Sequence, residues 1–106
     1  MDLKEKDIQI IRDYFVGKPV LKAYLFGSYS RNQADKDSDV DILVDLDYNQ
    51  HIGLGFVQMK MDLEEKLQKP VDLVSSQAIT KRLLPYINKD KKLIYESSNI
   101  KPSFHA

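Results

Sequence analysis

Gly27-Ser28-Tyr29-Ser30-Arg31-Asn32-Gln33-Ala34-Asp35-Lys36-Asp37-Ser38-Asp39-Val40-Asp41 is the stretch on which the fold of this chain turns. The apolar segment Val20 to Phe26 precedes it, and Ile42-Leu43-Val44 follows. Both flanks are rich in β-branched and aromatic residues and read as strands. The stretch is therefore a small Gly-Ser turn leaving one strand, a polar connection, and two aspartates entering the next. Side chains alternate across a strand, which puts Asp39, Asp41 and Leu43 on one face and Val40, Ile42 and Val44 on the other. The apolar face is the one to bury.

Two carboxylates then stand side by side with Cα atoms roughly 7 Å apart. Anions at ~6 Å repel by roughly 2–3 kcal/mol at an effective dielectric near 20, and a divalent cation removes that penalty. Side chains at this spacing lean together over metal ions about 3.5–4 Å apart. With no Cys in the chain and no His nearby, an oxygen-only ligand set favours Mg²⁺ or Mn²⁺ over zinc. The Gly27-Ser28 turn offers backbone N–H groups to an anion. Tyr29 to Ala34 reads as a short helix whose N-terminal amides and dipole face the same turn. These are the parts that hold a triphosphate.

Working outward, the chain has 106 residues, 16 of them basic and 16 acidic, for a formal net charge of zero. That is one small domain, expected over residues 1–96, with a polar tail over 97–106. The balanced charge implies no broad basic face, so binding to a nucleic-acid polymer is not expected. The absence of Cys excludes a disulfide framework and a thiolate zinc site. Met1 to Asp7 is charged from the start, unlike a signal peptide, and no apolar run approaches the ~20 residues of a membrane span. A cytoplasmic chain is expected.

Asp2-Leu3-Lys4-Glu5 resembles an N-cap with an acidic residue three places on, and Ile8, Ile11 and Phe15 recur at helical spacing. This predicts a helix from Leu3 to Val16, ended by Gly17-Lys18-Pro19. After the second strand, Asp45 to Gln50 reads as a loop. Ile52, Phe56, Met59, Leu63 and Leu67 mark one face of a helix ending near Lys69-Pro70. Val71 to Val74 is a third strand. A strand, helix and strand in one sheet imply a parallel pair, which carries Asp72 to the same end of the sheet as Asp39 and Asp41. If the first strand is antiparallel to the second, Gly27 and Ser28 reach that rim too. Ala78 to Leu84 and Pro85 to Lys89 read as short helices, and Leu93-Ile94-Tyr95 as an edge strand.

Other patterns weigh less. An EF-hand needs Gly at its sixth position and Glu at its twelfth; counted from Asp35 these are Val40 and Leu46, and from Asp37 they are Ile42 and Tyr48. A solvated acidic turn is the usual fate of such a charge run, but it leaves Ser28 and Asp72 unexplained. Gly53-Leu54-Gly55 lacks the third glycine of a dinucleotide fingerprint, where Gln58 stands. His51 and His105 are isolated and read as loop and tail residues. Met59 and Met61 read as core and surface of one helix. The six tyrosines read as packing groups, with Tyr29 the one that could stack on a nucleotide.

Gly27-Ser28, ten intervening residues, Asp39-Val40-Asp41, and Asp72 within Val-Asp-Leu-Val resemble the signature of the minimal nucleotidyltransferases of the DNA polymerase beta superfamily. The resemblance spans roughly residues 3–96; Asn32 departs from the Gly that family members often carry after the Arg. It implies an α/β (α+β) nucleotidyltransferase fold, a small mixed β-sheet with helices packed on it. It also implies transfer of AMP from ATP to a hydroxyl, with Asp39, Asp41 and Asp72 as catalytic carboxylates and Mg²⁺ ligands. Gly27 and Ser28 would bind the triphosphate, and Arg31 would contact phosphate. Small members of this kind resemble antitoxins that modify a tyrosine of a partner HEPN-domain ribonuclease toxin. The chain has no second domain to present an acceptor, so a partner protein or a second copy is implied. Alternatives are transfer to a small hydroxylated molecule such as an aminoglycoside, and an antitoxin acting by binding alone.

Overall fold

The sequence around Ile8, Ile11 and Phe15 forms helix α1 over Glu5–Phe15 and buries Ile11 and Phe15 completely. Glu5 and Asp7 in its first turn face the positive end of the helix dipole. Asp7 is itself buried and lies 3.8 Å from Lys69 Nζ, the partner that an interior carboxylate needs. The helix ends one residue earlier than expected, because Val16 enters a turn completed by Gly17 at φ +83°.

The computed structural model describes residues 5–27, 39–49 and 52–97. Expectations for Tyr29 to Ala34, Asp35 to Ser38, His51, His105 and the tail beyond Ser97 lie outside these residues.

Strands β1 (Val20–Phe26) and β2 (Val40–Leu46), helix α2 (Gly55–Leu67) and strand β3 (Val71–Ser75) follow in order. A single 3-10 turn (Ser76–Ala78), helix α3 (Leu84–Asp90) and strand β4 (Lys92–Glu96) complete the chain. The sheet order is β3-β2-β1-β4. β2 and β3 are parallel and joined through α2, while β1 is antiparallel to both β2 and β4. The mixed α/β architecture is the expected one, and β4 is the edge strand anticipated near Leu93.

Ala23, Leu25, Val40, Ile42, Val44, Val71 and Leu73 point to one face of the sheet, where they meet Ile11 and Phe15 of α1 and Met59, Leu63 and Leu67 of α2 in one core. Burying each such side chain contributes about 1.5–3 kcal/mol, so the register of β2 is tied to this face. Met61 is exposed while Met59 is buried, as their helical positions require. The opposite face carries Lys22, Tyr24 and Phe26 of β1, Asp41, Leu43 and Asp45 of β2, and Asp72 and Val74 of β3.

Three local expectations are corrected. β2 runs on through Asp45 to Leu46, since Asp45 pairs opposite Lys22 and Leu46 opposite Val20. The expected helix over Ala78 to Leu84 does not form, because Ile79 is extended at φ −77°, ψ 133° and the chain then turns back on the Thr80 carbonyl. The helix starts only at Leu84, with Pro85 in the first turn, where its missing N–H is harmless. Tyr48 and Tyr86 are exposed rather than packed; the Tyr48 hydroxyl pairs with Ser75 Oγ at 2.8 Å.

Candidate active site

Alternation along β2 turns Asp41 away from the core, between the wholly buried Val40 and Ile42. Parallel pairing with β3 makes Asp72 its direct partner across the ladder. Their backbones are therefore about 4.8 Å apart, with both side chains on the same face of the sheet. Asp72 is exposed and Asp41 half-buried. Asp39 is exposed just before β2, and the next residue is anchored at the mouth of β3 by Val40 N–H donating to the Pro70 carbonyl at 2.9 Å.

On the other flank of β2, Phe26 is the partner of Asp41, and Gly27 follows it at φ +74°. A Cβ at residue 27 would fall inside van der Waals distance of Asp41 Oδ2. Glycine is needed here twice, for its left-handed backbone and for the close approach of the carboxylate. Asp41 is thereby held between the end of β1 and the start of β3. Ser28 and Arg31 lie outside the described residues.

The fit to a divalent cation rests on Asp41 and Asp72, two hard oxygen donors on adjacent strands. Among the described residues, no three His, Cys, Asp or Glu side chains gather into a ready-made metal cluster. Asp41 and Asp72 are a pair, with Asp39 two residues upstream.

The face around the pair includes two residues that the sequence pattern did not mark. Tyr24 lies on β1 opposite Leu43, and Lys91 Nζ sits 4.4 Å from its ring centroid. The sequence pattern marks Tyr24 only as a packing residue and gives Lys91 no role.

A separate polar arrangement lies on the helix layer. An open cleft of about 860 Å³ there is lined by residues including Tyr14, Lys18, Asp62 and Lys66. Tyr14 donates its hydroxyl to Asp62 Oδ2 at 2.6 Å. Burial, reinforced by Asp62, raises the Tyr14 hydroxyl above its ordinary range. The hydrogen bonds from Tyr14 and then Gln58 hold the Asp62 carboxyl below its ordinary range. None of these groups belongs to the Asp41–Asp72 rim.

The family model described as polymerase beta, nucleotidyltransferase matches residues 8–100. A Methanocaldococcus jannaschii chain named as a candidate protein adenylyltransferase is 37% identical over 78 residues, covering 74% of this chain and 78% of that one. A crystal structure of a toxin–antitoxin with AMP-PNP aligns at TM-score 0.70 and 24% identity, over 91% of this chain and 76% of the other. A complex of a tri-AMPylated Shewanella oneidensis HEPN toxin with its MNT antitoxin aligns at TM-score 0.59 and 21% identity, over 84% and 72%. The two structures share the fold.

Proposed function

Because this chain belongs to the polymerase beta nucleotidyltransferase family, we propose that it transfers AMP from ATP to a tyrosine hydroxyl of a partner HEPN ribonuclease toxin and so neutralises it. The observation that carries the site is the pairing of Asp41 with Asp72 beside Gly27. The partner is supported by the fold shared with a HEPN toxin–MNT antitoxin complex whose toxin bears AMP groups. ATP as donor is supported by the AMP-PNP complex of the same fold.

Asp39, Asp41 and Asp72 would hold two Mg²⁺ or Mn²⁺ ions, which when bound neutralise the triphosphate and acidify the acceptor hydroxyl. Asp41, fixed between Gly27 and Asp72, would set the position of the α-phosphate. Asp72, the exposed member of the pair, would face the incoming hydroxyl and help to take its proton. The Gly27-Ser28 turn would bind the phosphates through its amides, with Arg31 as an added contact. The acceptor oxygen bonds to the α-phosphorus as the bond to pyrophosphate breaks. Positioning and charge neutralisation suffice for such a transfer; no covalent enzyme intermediate is needed.

Asp39 and Asp72 are exposed at this rim, which gives an acceptor hydroxyl on another protein access to them. No helix among the described residues is long and apolar enough to cross a membrane, and the work proposed fits the cytoplasm, where ATP and a ribonuclease toxin would meet. The test is incubation of the purified chain with labelled ATP, Mg²⁺ and its co-expressed partner. Label should appear on the partner and vanish with Asp39→Ala or Asp41→Ala while both variants stay folded. Undiminished label with both variants would remove the site. Pyrophosphate release with an aminoglycoside but no protein acceptor would move the substrate to a small molecule. A partner silenced equally by the Asp variants would leave contact alone as the antitoxin mechanism.

A further inference from the structure

The rim holds a positive side chain that the mechanism above leaves unused. Across the sheet, Asp72 pairs with Asp41 and Asp41 with Phe26. On the far side of β1, Lys92 pairs with Leu25 in antiparallel register, so Lys91 stands one residue closer to the rim, beside Phe26. Asp72, Asp41, Phe26 and Lys91 thus lie in one row across four chain segments. Two strand spacings separate Lys91 from Asp41, roughly 10 Å between backbones. The Gly27 turn leaves β1 between them.

The side chain of Lys91 lies on the carboxylate face. Its Nζ is 4.4 Å from the Tyr24 ring centroid, and Tyr24, two residues from Phe26, shares the face of Asp41 by strand alternation. The backbone beneath it is held too: Lys91 caps α3, donating its N–H to the Ile87 carbonyl at 2.8 Å before entering β4. A surface lysine resting on an aromatic ring is common. Here its backbone also stands in register with Asp41 and Asp72, across the end of β1 from them.

We propose that Lys91 is the cationic contact for the β- and γ-phosphates of the donor nucleotide, with Tyr24 as the shelf that directs it. The proposal rests on the nucleotidyltransferase function above. Cations bound by carboxylates at one end of the row would neutralise the phosphate under attack. An ammonium at the other end would bind the portion that departs as pyrophosphate. A lysine suits this role as a compact point charge with three donors.

The test is a binding titration of the full chain in Mg²⁺ with AMP-PNP and, separately, with AMP. Lys91→Ala should weaken AMP-PNP binding about tenfold or more, the loss expected for a charged hydrogen bond. AMP lacks the distal phosphates, so its affinity should stay within about twofold, while Lys91→Arg should restore most AMP-PNP binding. Equal weakening toward both nucleotides would mark a structural lysine and overturn the assignment. So would unchanged AMP-PNP affinity in Lys91→Ala while the wild type binds the analogue and labels its partner, an outcome that spares the nucleotidyltransferase function. A wild type that binds neither nucleotide would overturn both.

Discussion

On its helix-covered face β2 presents Val40, Ile42 and Val44, each wholly buried, while one residue out of step the other face presents Asp41 and Asp45. The two sets share one backbone and cannot be positioned independently. A slip of one residue in the β1–β2–β3 register would turn the carboxylates into the core and the valines toward solvent. The accuracy with which Asp41 meets Asp72 is therefore inherited from the packing of Ile42 and its neighbours on the opposite side.

The largest effects should separate these faces cleanly. Asp41→Ala should reduce labelling of the partner at least about a thousandfold, equivalent to about 4 kcal/mol of barrier, while the chain stays folded. Ile42→Ala, at the adjacent residue, should lower unfolding free energy by about 2–5 kcal/mol while the folded fraction still labels. Denaturant unfolding paired with labelling per folded molecule measures both. If Asp41→Ala unfolds the chain, the carboxylate face is structural and the division between faces fails.

Gly27→Ala sharpens the comparison, because residue 27 joins the two faces. Its φ of +74° and the place of Asp41 Oδ2 where a Cβ would stand predict two separate losses. The left-handed backbone should cost about 1–2 kcal/mol of stability with a non-glycine residue. The displaced carboxylate should cost more in function, about a hundredfold in labelling for a misplacement near 1 Å. A variant whose labelling falls only in proportion to its folded fraction would show that Asp41 does not depend on the contact with Gly27.

That Asp72 reaches the end of the sheet carrying Asp39 and Asp41 is legible in the sequence, because the strand-helix-strand connection leaves little freedom; the direct register of Asp72 with Asp41 is not. The same constraints carried Gly27 to the rim once β1 ran antiparallel to β2. Lys91 was not legible: its place depends on β4 choosing the free edge of β1, which no local pattern specifies. The helix expected over Ala78 to Leu84 fails for a local reason: Ile79 is extended and the chain turns on the Thr80 carbonyl, so helical geometry begins only at Leu84. The extent of β2 was underestimated because Asp45 reads as a loop residue until Lys22 is placed opposite it.

The smallest expected effect concerns the helix layer, where a polar pair should affect stability and leave chemistry alone. Tyr14 donates to Asp62 Oδ2, and Asp62 also accepts from Gln58 Nε2 at 2.7 Å. Hydrogen bonding, first from Tyr14, lowers the folded Asp62 carboxyl from its ordinary value of 3.8. Its contribution to stability is thus present above that value and is lost as pH falls through the lower folded one. The Tyr14 hydroxyl, raised by burial above its ordinary 10.0, has the opposite sense: its contribution is present below 10 and is lost as pH rises toward the folded value. Tyr14→Phe removes the hydroxyl contribution outright and the largest part of the Asp62 one, leaving the bond from Gln58. The melting-temperature gap between parent and variant should therefore be widest near neutral pH, narrow in acid below the ordinary aspartate range, and narrow again in strong alkali. Labelling by Tyr14→Phe at neutral pH should match the parent. A gap that stays flat into acid would mean that the hydrogen bond is not formed in solution, and a fall in labelling would mean that the helix layer reaches the rim after all.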